Sequence, residues 1–402
     1  MISKLRPVGN PIPLASLHKN RRFPWEPRYA TRFVSSGTAA LAMAVLAAVK
    51  WRPGCTQPEV IIPAYCCPDL VTAIVAQGAT PVPVDFCPSV PRLDLNALQQ
   101  AISDSTVAIV AVNFLGYGED LGAIAQLCAD RQITLIDDSA QSYPPASSYG
   151  AEADFSILSF GRGKPINLTG GGALLVRKDH MAELDRGLEC YPLKHLRAGR
   201  VWQIRRAIFN ALLQNRICYG LLERSPFLHL GETRLKPMAP IYRLELNRDL
   251  VLSGAQCLQE LAVQQRIYVK ELLRLEALEW KLINVPASGG KASNTGDLSV
   301  LRFAFLAPSR TIRDQAVCAL NDRGIGANDF YGKPVARIPG VEDLVRRGGA
   351  PNAEDFAARL LTLPAHEGVE SQDVAAVVGV LGNLITGETP GDGARCHGPE
   401  IP

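Results

Sequence analysis

Short apolar runs alternate with stretches of helical length through the first half of this chain. Ser35-Ser36-Gly37-Thr38 precedes an Ala- and Leu-rich run over 39–49, a strong helix former behind good capping residues. Beyond it the pattern predicts strands over 60–63, 80–84, 106–113, 134–136 and 155–159. Helices are predicted between them, over 70–77, 95–102 and 120–130. Apolar strands bounded by polar loops and separated by helices predict an α/β fold, a mostly parallel sheet covered by helices. In such sheets ligands bind at the carboxyl ends of the strands.

The remaining segments read differently. Residues 1–30 are rich in Pro, Arg and Asn and are expected to form an extended arm. Residues 194–240 are basic and punctuated by Pro226, Pro237 and Pro240. A long helix is expected over 250–275 and a loop over 289–296. Residues 298–385 then read as strand, helix (312–323), strand, helix (353–361) and a last helix (371–384), a small α+β unit. The tail, 386–402, has Gly, Pro and charge with little apolar content and is expected to be disordered. The organisation expected is an arm (1–30), a large domain (31–250) with an insert (194–240), a linking helix with a small domain (251–385), and a tail.

Composition narrows the function. At 402 residues, with 47% hydrophobic and 20% charged, the chain reads as an ordinary globular protein of two or three domains, or of one large domain plus a satellite. Its net charge of +3 gives no support to nucleic-acid binding. No apolar run is long enough for a transmembrane helix, and no apolar stretch near Met1 suggests a secretory signal. Ten cysteines without framework spacing predict free thiols in a reducing cytoplasm. Six scattered histidines, with no HxH or HExxH, predict no metal centre.

Three features carry candidate chemistry. Ser36-Gly37-Thr38 opens a helix, where backbone N–H groups and the positive helix end favour a phosphate. Asp137-Asp138-Ser139-Ala140-Gln141 ends a strand, where a carboxylate can hold a cationic ring nitrogen. Ser159-Phe160-Gly161-Arg162-Gly163-Lys164, followed by Gly170-Gly171-Gly172, sets a lysine in a glycine-rich turn, a Schiff-base candidate. Pro165 and Leu158 stand where a P-loop needs a hydroxyl residue and a glycine, so this is not one. Alone, each has a plain structural reading: an N-cap, a turn carboxylate, a solvated lysine.

Together, in this order, they resemble the DegT/DnrJ/StrS family of pyridoxal-phosphate (PLP) sugar aminotransferases, within the fold type I aspartate-aminotransferase superfamily. Further matches are Ile61-Ile62-Pro63-Ala64-Tyr65, Val84-Asp85, Arg323-Gly324-Ile325-Gly326, and Asn352-Ala353-Glu354 leading to Leu363-Pro364. The resemblance implies a large PLP-binding domain with a small C-terminal domain. It implies that Lys164 bonds covalently to the cofactor and later shuttles the proton. With an ordinary lysine pKa of about 10.4, that amine must be tuned down to act near pH 7. It implies that Asp138 pairs with the pyridine nitrogen and that Gln141 lies near the phenolic oxygen. Gly37, Thr38 and Ser159 would bind the phosphate, and Arg248 would reach the phosphate of a neighbouring subunit in a homodimer. The implied reaction moves an amino group, from glutamate, onto a keto group of a nucleotide-linked sugar, for polysaccharide, lipopolysaccharide or glycosylated-metabolite synthesis.

The chain departs from the family pattern at Cys67, where a stacking aromatic is usual, at Gly170, where an acid is usual, and at Leu246, where Asn is expected. These departures keep a regulatory homologue without turnover open, while Lys164 counts against a sugar dehydratase, which carries His there. The insert holds nine Lys or Arg (194, 197, 200, 205, 206, 216, 224, 234, 236) against Glu223 and Glu232. It reads either as a peripheral membrane contact or anionic-substrate element, or as a helix packed on the dimer with its arginines in water.

Overall fold

The computed structural model describes residues 3–16, 18, 22–150, 152–182, 184, 194–196, 200–224, 233–284 and 300–387. The expected loop over 289–296 and nearly all of the expected tail lie outside them.

The chain first forms β1 (Tyr29–Val34) and α1 (Gly37–Trp51). Then follow β2 (Glu59–Pro63), α2 (Pro68–Val75), β3 (Thr80–Val84), α3 (Leu95–Ala101), β4 (Thr106–Val112), α4 (Leu121–Arg131), β5 (Thr134–Asp138), β6 (Phe155–Ser159) and β7 (Gly172–Arg177). After β8 (Lys194–Leu196), α5 (Arg200–Gln214), α6 (Arg216–Glu223) and β9 (Tyr242–Leu244), these strands build one nine-stranded sheet, ordered β3-β2-β4-β5-β6-β7-β1-β9-β8. Strands β3, β2, β4, β5 and β6 run parallel, as expected of an α/β fold, while β7 is antiparallel to both its neighbours. The chain steps from β2 outward to β3 and returns to β4 on the other side of β2, which opens a crevice at the carboxyl ends of these strands.

Burial explains the strands. All seven residues of β4, Thr-Val-Ala-Ile-Val-Ala-Val, are buried, because helices cover both faces. Helix α1 is apolar nearly all round and lies inside the largest core cluster, between α2 and the sheet.

The second half forms α7 (Arg248–Leu272), β10 (Lys281–Leu282), β11 (Arg302–Leu306), α8 (Arg310–Asp322), α9 (Pro351–Arg359), β12 (Leu360–Pro364) and α10 (Ser371–Thr386). Strands β10-β11-β12 make a separate antiparallel sheet, packed against α7, α8 and α10 through Phe303, Phe305, Leu320 and Val377. Helix α7 spans both halves. Val251 packs with Trp25 and Phe160 beside the large sheet, and Leu272 packs in the small core, some 30 Å along the helix.

Strands β7, β8, β9 and β10 are not among the expected elements, and three further elements differ from expectation. Strand β1 falls partly within the expected arm, because only its two end residues are buried and its middle reads as polar. The strand expected between 326 and 353 is absent among the described residues, save one bridge from Asn328 to Thr362. Instead Leu360-Leu361-Thr362-Leu363-Pro364, expected to begin as helix, is a fully buried strand, since a short apolar run alone does not distinguish the two. The arm is also more than an arm. The Leu5 side chain is 1% exposed inside the small core, and its N–H donates to the Gly324 carbonyl at 2.8 Å.

Beside Leu5, His366 donates from Nε2 to the Arg6 carbonyl at 2.9 Å and accepts at Nδ1 from the Gly368 amide at 3.1 Å. Both nitrogens are used by a neutral ring. Burial, with Arg6 close by, pushes this imidazole down to about 3. Its folded pKa lies below its unfolded value, so its contribution to stability is intact above pH 6.5 and is lost as pH falls toward 3. Urea denaturation between pH 6.5 and 5 should show a loss of about 2 kcal/mol from this group, at 1.36 kcal/mol per unit. The His366→Gln variant should lack that portion of the acid slope; an equal slope in both proteins would assign it elsewhere.

Candidate active site

One pocket at the strand ends is lined by Gly37, Thr38, Asp138, Gln141, Ser159 and Lys164, together with Cys67. The sequence placed the first six in three separate motifs. They meet because each motif follows the carboxyl end of β1, β5 or β6.

The start of α1 forms one wall. Ser36 is the N-cap, with extended backbone, and its Oγ accepts from the Ala39 amide at 3.0 Å. The amides of Gly37 and Thr38 come earlier and have no acceptor within the helix, by the geometry of any helix start. A Cβ on Gly37 would lie 2.7 Å from the Ser159 Cβ, and one on Gly172 would lie 2.5 Å from the Ser36 carbonyl carbon. Backbone therefore meets backbone here, and Ser159 is held directly beside the first turn of α1.

The two aspartates of β5 separate by strand alternation. Asp137 is fully buried away from the pocket. It accepts from Asn113 Nδ2 at 2.6 Å, Ser156 Oγ at 2.5 Å and Ser139 Oγ at 3.1 Å. Burial raises its carboxyl to about 6 against those bonds. Asp138 faces the pocket and accepts from the Ala140 amide at 2.9 Å. Burial raises it too, opposed by that amide and by the Lys164 charge. Asp137 is a structural carboxylate, and Asp138 is the one available to a ligand.

Gln141 is fixed from both ends. Its Oε1 accepts from the Leu115 amide at 3.1 Å, and its Nε2 donates to the Tyr331 hydroxyl at 2.7 Å. Tyr331 comes from the second half of the chain. No motif marked it; its neighbours Tyr65, Phe114 and Phe330 show why it sits there, since their rings pack with its own at 4.4 to 6.3 Å.

Lys164 sits in a turn that other segments clamp. Gly163 takes a φ of +73°, which only glycine adopts freely. The Lys164 amide donates to the Gly161 carbonyl at 3.3 Å. Asn167 Nδ2 donates to the Asn10 carbonyl at 2.7 Å and to Asn210 Oδ1 at 3.0 Å, and its Oδ1 accepts from the Thr169 amide at 2.9 Å. The Arg162 guanidinium lies over the Phe209 ring at 5.1 Å. Asn210 and Phe209 belong to α5, so the insert braces the lysine loop from outside.

Cys67 precedes α2 and stands in the pocket at the position where the family resemblance implies an aromatic. Burial, with Asp69 beside it, pushes its thiol up to about 12. Tyr65 is elsewhere, enclosed by Phe114, Tyr331 and Phe356 with its hydroxyl donating to the Asp329 carbonyl at 3.1 Å. Arg248 does not line this pocket. Within its own chain it pairs with Glu26 at 2.5 Å and lies over the Phe23 ring at 4.3 Å. Leu246 packs beside the same aromatic cluster.

The model of the DegT/DnrJ/EryC1/StrS aminotransferase family matches residues 28–218 and 255–382, most of the chain. The chain belongs to this family. Among family relatives, a dTDP-3-amino-3,4,6-trideoxy-alpha-D-glucose transaminase of Streptomyces venezuelae is 32% identical over 86% of this chain and 80% of its own. A dTDP-4-dehydro-2,3,6-trideoxy-D-glucose 4-aminotransferase of Saccharopolyspora spinosa is 26% identical over 86% of this chain and 82% of its own. In fold, NtdA of Bacillus subtilis, solved with bound cofactor PMP, is similar at a TM-score of 0.62 and 18% identity, over 90% of this chain and 74% of that one.

The glycine contacts generate a first test of the site. Gly37→Ala forces α1 away from β6 by several tenths of an ångström. Melting should fall by an amount typical of overpacking, about 1–3 kcal/mol. Ser159→Ala, which adds no bulk, should melt within about 0.5 kcal/mol of the parent. Equal melting of Gly37→Ala and the parent would show that the two elements are not in contact.

Proposed function

We propose that this chain is a homodimeric, PLP-dependent aminotransferase that moves an amino group from glutamate onto a keto carbon of a nucleotide-linked sugar, in the cytoplasm. Its product would feed polysaccharide, lipopolysaccharide or glycosylated-metabolite synthesis. The observation that carries the reading is the convergence of Lys164, Asp138, Gln141, Ser159, Gly37 and Thr38 on one pocket.

The donor set suits the cofactor. The close packing at Gly37 and Gly172 brings the first amides of α1, Thr38 Oγ1 and Ser159 Oγ to one wall of the pocket, a donor set for a phosphate. A buried carboxylate at Asp138 suits a protonated pyridine nitrogen and keeps it charged. When bound, PLP supplies an electron sink for the carbanion formed at the amino-bearing carbon. Lys164 Nζ would hold the cofactor covalently and, as a free amine, would take the proton from the donor's α-carbon and return one to the acceptor's carbon. Gln141, locked by Leu115 and Tyr331, orients the phenolic-oxygen side. In the dimer Arg248, at the start of α7, is the residue assigned to the neighbouring subunit's phosphate.

Support for a nucleotide-sugar substrate comes from the relatives, whose names specify dTDP-linked deoxy sugars. Those names place the nitrogen at different ring carbons, so the ring position stays with the individual enzyme. The cytoplasmic assignment accords with the free thiols at every described cysteine.

Cofactor spectra, half-reaction rates and oligomeric state test this reading. The purified protein should be yellow, and borohydride should fix the cofactor on Lys164; peptide mapping to another lysine overturns that role. Asp138→Asn should slow the glutamate half-reaction by at least ~10²-fold, the scale of losing a key electrostatic partner. Asp137→Asn should instead lower melting and spare the cofactor spectrum. No half-reaction in the parent protein, with cofactor bound, would favour a regulatory homologue. Finally, Arg248→Ala should weaken PLP binding without unfolding the chain, and an active monomer in light scattering would reject both the dimer and that role.

A further inference from the structure

Helices α5 and α6 turn polar groups inward beside Tyr219 and leave a set of aliphatic side chains outside. Their polar contacts point inward. Asn210, 6% exposed, bonds Asn167. Arg216 pairs with Asp373 at 2.7 Å and donates to the Gly368 carbonyl, and Glu223 holds Lys4 at 2.7 Å. Four of their large aliphatic side chains point outward, while Leu213 and Leu222 are half-buried. Ile208, Leu212, Ile217 and Leu221 are 57%, 45%, 54% and 55% exposed. The spacing is i, i+4 within each helix, so each pair forms one stripe. An ordinary surface helix does the reverse and buries such a stripe. The inward polar bonds pin the helices in this orientation, so the exposed face is not the accident of a loose segment.

We propose that this face docks on an anionic phospholipid surface, with the aliphatic side chains entering the headgroup region and the insert's arginines meeting lipid phosphates. Charge selects this occupant. From 194 to 222 the chain has five basic residues besides the inward-paired Arg216, and no acid, although its overall charge is only +3. A second copy docked here about a two-fold axis would set arginine-rich segments against each other, which costs rather than gains. Anionic headgroups complement them instead. The insert lies on the membrane without crossing it. Asn215 has extended backbone, ends the run of α5 and caps α6, and no described helix is long and apolar enough to span a bilayer.

The test is vesicle co-sedimentation of the full-length holoenzyme. Vesicles with about one-third phosphatidylglycerol should bind it at low salt, and pure phosphatidylcholine vesicles should not. Affinity should fall at least ~10-fold as salt rises toward 0.5 M. Ile208→Ser, Leu212→Ser, Ile217→Ser and Leu221→Ser combined should lower affinity at least ~10-fold, with circular dichroism and light-scattering mass unchanged. Arg205→Ala with Arg206→Ala should weaken binding and flatten its salt dependence. No binding to anionic vesicles at low salt overturns the proposal, as does wild-type binding by the four-serine variant. Dissociation of that variant into monomers also overturns it, by making the face an interface between copies.

Discussion

The first turn of α1 lies against the ends of β6 and β7 so closely that no side chain can stand between them. Gly37 and Gly172 are the residues that permit it. The rest of the site depends on this contact. It brings helix amides beside Ser159, sets the height of the loop that carries Lys164, and leaves the strand end of β5 as the opposite wall. The same packing needs an interior helix, which the uninterrupted Ala-rich sequence of α1 provides. Small side chains let that helix lie close to the sheet while remaining apolar on nearly every side.

Much of this could be read before any coordinates. Fully buried parallel strands such as β4 are continuous apolar runs, and Ser36 caps α1 as its position suggested. The pocket-lining motifs were legible because each stands at a strand end, where chain order alone puts it on the correct edge of the sheet. What was hidden depends on long-range partners. Strand β1 has a polar middle and declares itself only by pairing with β7. Strand β12 is a short apolar run whose state is chosen by β11 beside it. Tyr331 enters the site from a loop with no motif, placed by the aromatic rings around it.

Asp137 and Asp138 show how one residue's step changes chemistry. Both are buried, and burial raises both carboxyls. Asp137 is surrounded by Asn113, Ser139 and Ser156 and ties three strands' ends together. Asp138 has the pocket in front of it and one backbone amide behind. A register slip by one residue would exchange them and leave the pocket facing a carboxylate already committed to the core.

Leu5 and the C-terminal helix α10 occupy one core, although 376 positions separate Leu5 from Leu381. A ribosome delivers the first long before the second. The nascent N-terminal segment must therefore wait, apolar side chain exposed, while the large sheet assembles beside it. The small core closes only after the chain has been made as far as α10. Assembly of this protein cannot proceed strictly one half after the other, and damage at either end of the chain strikes the same place.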